Sequence, residues 1–151
     1  MINLIRKSET KIKSGTGFTI IELLVVLSII GLLAGLAITQ LSAAQQKARD
    51  VRRMSDVREI KKALTLYQVD NISFPVVTAT STMITGDDYL SSELKNAGAI
   101  TQVPIDPRHP VTFYTYQSNS TGTDYDITFC LETDTIPNYS QGCVNTNTIK
   151  P

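Results

Sequence analysis

Gly17-Phe18-Thr19-Ile20-Ile21-Glu22-Leu23-Leu24 opens an apolar run that continues to Leu41 and carries a single charge, Glu22. As a helix, residues 18–41 would span about 36 Å at 1.5 Å per residue, against a hydrocarbon core of roughly 30 Å. The run is longer than the 7–15 apolar residues of an ordinary secretory signal. Ala43-Ala44 could still serve as a cleavage site, which keeps ordinary secretion as a minor alternative. An ionised side chain at the bilayer centre costs roughly 2.5–3.5 kcal/mol even on lenient insertion scales. A lone acid there implies a partner, so Glu22 is the first candidate functional residue.

Upstream, residues 1–17 carry Arg6, Lys7, Lys11 and Lys13 against Glu9 and end in Gly15 and Gly17. They have no core-forming periodicity and read as a targeting segment. Downstream, neither proline nor glycine interrupts residues 36–70, so the helix is expected to run from Phe18 to Asp70, about 80 Å. Beyond Leu41 its character turns amphipathic. Met54, Val57, Ile60, Leu64 and Tyr67 recur at spacings of three and four and share one face. Arg52, Arg53, Asp56, Glu59 and Lys62 fill other positions and read as a solvated face, with subunit salt bridges as the alternative. Lys47, Arg49, Arg52 and Arg53 against Asp50 balance the charge of the leader. The positive-inside rule therefore leaves the topology open, and the cysteine pair described below favours an outside C-terminal part.

After Asn71 the punctuation changes. Phe74-Pro75 ends the helical pattern, and residues 76–85 read as an exposed loop. Asp88 is a candidate N-cap for a short helix over Tyr89–Ala97, stopped by Gly98. Pro104, Pro107 and Pro110 mark a turn region. Thr112–Gln117 and Tyr125–Leu131 are aromatic and β-branched, and the turn residues between them predict a hairpin. Val144–Ile149 would add a third strand. The expected class is α+β, with one long N-terminal helix packed on a small antiparallel sheet. The expected division is 1–17 leader, 18–41 membrane or filament-core helix, 42–70 amphipathic continuation and 71–151 β-rich head.

The formal net charge is zero, but residues 71–151 hold three basic and eight acidic side chains. A mildly acidic head argues against nucleic acid as a partner. The two cysteines, Cys130 and Cys143, bracket a polar loop. In an exported chain they read as one disulfide, contributing about 3 kcal/mol by loop closure; in a cytosolic chain they would be free thiols. Zinc is disfavoured, because the only histidine, His109, is distant and no second cysteine pair exists.

The segment Gly17-Phe18-Thr19-Ile20-Ile21-Glu22 resembles the class III signal of type IV pilins and the related pseudopilins. Pro104-Ile105-Asp106-Pro107, Tyr114, Tyr116 and Tyr125-Asp126-Ile127 resemble, more loosely, the loop-and-strand pattern of the major pseudopilin of type II secretion. The resemblance implies cleavage between Gly17 and Phe18 by a membrane prepilin peptidase. It also implies N-methylation of Phe18 and pairing of Glu22 with the Phe18 amine of a neighbouring subunit. Losing one partner of a buried ion pair leaves an uncompensated charge, so such a pair would hold register. Gly31 and Gly35 have the spacing that lets membrane helices approach closely. Thr39 and Gln40 stand where the family often has a proline, so the resemblance leaves open whether the helix melts inside a filament; Gly31 and Gly35 are the candidate positions if it does.

Two departures concern the C-terminal part. Major pseudopilins often carry a calcium loop, and here the cysteine-bounded loop takes that part of the chain, as in many type IV pilins. Asp124, Asp126, Glu132 and Asp134 could supply some of the six to eight oxygens calcium requires, but no metal site and no cofactor is expected. No nucleophile elbow or phosphate-binding glycine loop is present in the sequence. His109 is expected to face solvent, and Phe113, Tyr114, Tyr116, Tyr125 and Phe129 to pack as strand residues.

The expected protein is a non-catalytic subunit of a type IV pilus or type IV-like filament. It would sit in the bacterial inner membrane before assembly and in an extracytoplasmic filament afterwards. Its partners would be copies of itself, other pilins, prepilin peptidase and the pilus assembly platform. The alternatives are a pseudopilin of type II secretion or DNA uptake, and a membrane-anchored binding module that never polymerises.

Overall fold

A computed structural model of the chain describes residues 17–77 and 81–146. The leader as far as residue 16, the segment 78–80 and the last residues of the expected strand, 147–149, lie outside the described residues. Contacts divide the chain into two compact units, one ending at Gln40 and the other beginning at Leu41.

Helix α1 covers Ile20–Asn71, 52 residues. In the first unit its apolar side chains stand exposed, Leu24 at 64% and Leu32 at 69% among them. An apolar surface this continuous exceeds what a soluble monomer tolerates and requires lipid or other protein to cover it. Among the described residues α1 is the one helix long and apolar enough to cross a membrane.

In the second unit, Met54, Val57, Ile60 and Leu64 are buried as their spacing predicts, and Tyr67 packs beside them. They meet a four-stranded antiparallel sheet in the order β1-β2-β3-β4. Its strands are β1 (Thr82–Ile84), β2 (Tyr114–Ser118), β3 (Tyr125–Leu131) and β4 (Gly142–Asn145). Strand side chains alternate between faces, which sends Tyr114 and Tyr116 from β2 and Ile127, Phe129 and Leu131 from β3 into the core. Helix α2 (Tyr89–Asn96) is capped by Asp88 and buries Leu90 and Leu94.

Several boundaries differ from the sequence reading. Residues 76–85 are not wholly loop: Thr82–Ile84 pair with Tyr114–Tyr116, and Ile84 is fully buried. Three residues are too few for a periodic signal, and the neighbouring strand supplies the order. β4 begins at Gly142 rather than Val144, because its register is set opposite β3, with Cys143 facing Cys130 and Gly142 facing Leu131. β2 starts two residues later than expected. Helix α1 stops at Asn71, ahead of Phe74-Pro75. Ile72 takes a left-handed conformation (φ 64°), and its N–H closes on the Gln68 carbonyl at 2.8 Å. A β-branched residue there is strained, and its side chain is 90% exposed. Gly122, at φ +64°, allows the β2–β3 turn to approach Phe74; a Cβ there would lie 2.7 Å from the Phe74 carbonyl oxygen.

Candidate functional site

In the first unit the chain enters α1 through Gly17, Phe18 and Thr19. Phe18 is 86% exposed. Glu22 has a local partner that the sequence reading missed. Its Oε2 accepts from the Thr19 N–H at 2.9 Å and from the Thr19 hydroxyl at 2.9 Å, while the Glu22 N–H donates to Thr19 Oγ1 at 3.3 Å. This is a capping box, with threonine as N-cap and glutamate three residues on. The signal was present as Thr-x-x-Glu ahead of an apolar run. The carboxylate therefore sits at the positive end of the helix, aimed back along the chain toward Phe18. Farther along, a Cβ added at Gly31 or Gly35 would meet nothing within 4 Å among the described residues. Among the described residues no contact demands glycine at either position.

The second unit holds a buried ionic cluster centred on Arg53, which the sequence reading, with Asp56, placed on a solvated face. Arg53 is fully buried, as are Asp50 and, nearly so, Asp106 and Asp56. The Arg53 guanidinium reaches Asp106 Oδ2 at 2.8 Å, Asp50 Oδ1 at 2.9 Å and Glu132 Oε1 at 2.8 Å. Arg49 grips Glu132 with two bonds, at 2.8 and 2.6 Å, and Arg108 lies 3.7 Å from the same carboxylate. Asp50 also accepts the N–H groups of Glu132 and Thr133, each at 2.9 Å. Asp106 accepts the Arg108 N–H at 2.8 Å and the Thr112 hydroxyl. Three arginines and three carboxylates thus tie α1 to the proline-rich loop and to the end of β3. Among the described residues no buried side-chain nitrogen or oxygen lacks a partner.

The electrostatics follow from these contacts. Hydrogen bonding from Arg49, reinforced by Arg53, pulls the Glu132 carboxyl down to about 2. Burial pushes Asp106 up, but Arg53, Thr112 and the Arg108 N–H outweigh it and leave it below the usual carboxylate range. Burial likewise opposes the charge on Arg53, and the carboxylates around it more than compensate. Asp56 is the exception: burial raises it, despite a 2.9 Å bond from the Tyr114 hydroxyl. Arg53 was missed because an arginine on a helix gives no sequence sign of inward placement. Its position between Asp50 and Val57, on the flank of the apolar stripe, was the available hint.

Residues 40–141, about two thirds of the chain, match the family described as type II secretion system (T2SS), protein G. The chain belongs to the type II secretion protein G family. Residues 13–38 separately match the prokaryotic N-terminal methylation motif, which encloses Gly17, Phe18, Glu22, Gly31 and Gly35. The type II secretion system core protein G of Aeromonas hydrophila is 30% identical over 95 residues, covering 61% of this chain and 66% of that protein. The protein of the same name from Escherichia coli K12 is 31% identical over 94 residues, 60% of this chain and 65% of the relative. That from Vibrio cholerae is 30% identical over 101 residues, 64% of this chain and 68% of the relative. The chain thus spans just under two thirds of the length of the first two of these relatives. No solved structure matches it. These names fit the secretion alternative better than the surface-pilus reading.

Within this protein G family member, Cys130 and Cys143 form a disulfide across β3 and β4. The four acids weighed as calcium ligands are dispersed in role. Asp124 accepts the Tyr125 N–H at 2.9 Å, Glu132 is bound by arginines, Asp126 accepts from Thr146 at 3.1 Å, and Asp134 accepts the Gln141 N–H. Among the described residues no group of three or more histidine, cysteine or acidic side chains could hold a metal. His109 is exposed. Asp106, the acid of the Pro-Ile-Asp-Pro loop, anchors that loop to α1 through Arg53.

Proposed function

We propose that this chain is a pseudopilin, a non-catalytic subunit of a type II secretion filament. Cleavage between Gly17 and Phe18 would free a positive amine on Phe18, and prepilin peptidase would then methylate it. The subunit would wait in the inner membrane with residues 18–41 in lipid. At an assembly platform these helices would then exchange lipid for neighbouring copies and other pseudopilins. The observation that carries this reading is the exposed, capped apolar helix within the methylation motif, joined in one chain to a head of the protein G family.

Glu22 gives the mechanism its register. Among the described residues its carboxylate is occupied by Thr19, through Oε2. Oε1 would remain to receive the Phe18 amine of an adjacent subunit. In a low-dielectric core, a misplaced subunit would leave both charges unpaired. The head, braced by the ionic cluster and the disulfide, would form the outer surface.

Two measurements test the reading. N-terminal mass spectrometry of the protein from its native membrane should return N-methylated phenylalanine at residue 18; an N-terminus near Gln45 would point to ordinary signal-peptidase processing. Glu22→Ala should leave the membrane level of the subunit intact while filament formation and export fall sharply. Indifference of both to this change would favour an anchored module that never polymerises.

A further inference from the structure

Two features of the head lie on opposite flanks of α1 and carry opposite charge. On one flank, Arg58 and Lys61 border a groove of 490 Å³ whose apolar lining includes Met54, Val57, Ile136 and Tyr139. Arg58 and Lys61 are exposed, and neither forms an ion pair among the described residues. The outer wall of the groove belongs to the loop closed by the Cys130–Cys143 disulfide, and Tyr139 is braced against Phe129, ring centroids 5.8 Å apart.

The other flank presents a corner, Asp87-Asp88-Tyr89, where β1 gives way to α2. The Asp87 side chain is 98% exposed, and among the described residues its ion-pair partner is Lys95, at 3.5 Å. Tyr89 is 53% exposed. The corner is rigid, because the Asp88 carboxylate accepts the N–H groups of Thr85, Gly86 and Ser91 and the Ser91 hydroxyl. Asp87 borders a second concavity that reaches α1 at Arg52, Asp56 and Glu59. At 3.6 residues per turn these lie about 140–180° round the helix from Lys61.

We propose that the occupant of the groove is a second copy of this chain, which inserts its Asp87–Tyr89 corner. The Tyr89 ring lies on the apolar floor, and Asp87 pairs with Arg58 and Lys61. An aromatic anchor in an apolar pocket, flanked by a charge pair, is the usual composition of an interface hot spot. Because the corner is held in place before contact, little ordering entropy is lost. Groove and corner occupy different flanks, so the contact is heterologous and each bound copy presents a free corner or groove to the next. Such contacts build open filaments when the rotation does not close. The inference rests on the filament reading above and names the contact between heads within it.

The test uses the chain processed between Gly17 and Phe18, in lipid vesicles, half of the copies labelled with nitrogen-15. A water-soluble carbodiimide condenses the Lys61 amine with the Asp87 carboxyl, losing water to form an amide. Peptide mass spectrometry then separates mixed-isotope products, which join two copies, from single-isotope ones. The mixed Lys61–Asp87 product is expected, with Tyr89→Ala or Arg58→Glu lowering its yield roughly tenfold. Asp87→Lys copies mixed with Lys61→Glu copies should re-form the amide with its ends exchanged. Failure to find the mixed product, or a yield indifferent to Tyr89→Ala, overturns the inference. If Glu22-dependent filaments form without it, this contact alone is refuted. If the product persists while Glu22→Ala changes nothing, the filament mechanism is refuted instead.

Discussion

Replacing Arg53 with methionine would keep most of the side-chain volume and remove the one guanidinium shared by three carboxylates. Arg53, Asp50 and Asp106 have side-chain exposures of 0%, 0% and 1%, and Glu132 of 16%. Each acid keeps some support: Asp50 from Thr133, Asp106 from Thr112 and Glu132 from Arg49. What is lost is charge compensation. Breaking a buried ion pair on one side costs about 3–5 kcal/mol, a large part of the stability of a domain this size. All six tyrosines lie beyond Leu41 and tryptophan is absent, so the tyrosine near-ultraviolet circular dichroism of the full chain in detergent reports the second unit. Urea titration at neutral pH should show Arg53→Met less stable by about 3–5 kcal/mol, with Arg53→Lys between it and the parent, since lysine keeps the charge but not the fork. The pH dependence gives a second check. The Glu132 carboxyl is depressed from 4.5 to about 2. Its contribution is therefore complete above the unfolded value and is lost as pH falls toward about 2. In the parent, stability should decline across that window. In Arg53→Met the carboxylates have less to lose on protonation, so the deficit should shrink on acidification. A neutral-pH difference below about 1 kcal/mol, the range of a solvent-exposed ion pair, would refute the buried-network argument.

Other substitutions test separate elements. Cys130→Ser with Cys143→Ser should lower the stability of the head by about 3 kcal/mol through loop closure, and a reductant should reproduce the loss in the parent. Ile72→Gly should raise stability by about 1 kcal/mol, because glycine accepts the left-handed conformation at a helix end without strain; a fall in the urea midpoint would contradict the reading of Ile72 as strained. Asp88→Ala should cost about 1–2 kcal/mol, because it removes the N-cap of α2.

The elements legible in the sequence are those with long or redundant signals. The apolar run from Phe18, the stripe Met54–Val57–Ile60–Leu64, the Asp88 cap and the strand Tyr125–Leu131 each repeat a period or carry a terminator, and the structure contains them as read. The loop Pro104–Pro107 was legible as a turn but not as an anchor, since nothing local marks Asp106 as buried. Strand β1 was hidden because three residues have no period of their own. The pairing of Thr19 with Glu22 carries a local signature, Thr-x-x-Glu ahead of an apolar run, and needs no tertiary contact.

Local order and membrane-length hydrophobicity are properties of near neighbours along the chain, so they could be read one residue after another: the long helix, its apolar first part, the change to an amphipathic face and the candidate processing motif. Burial of Arg53, the meeting of residues 49–53 with Asp106 and Glu132, and the register that brings Gly142 opposite Leu131 join segments more than ten residues apart, in places more than eighty. Those depend on which charges are excluded from water together. Only the folded chain decided that, because the cost of desolvating an ion is set by its surroundings in space and not by its neighbours in sequence.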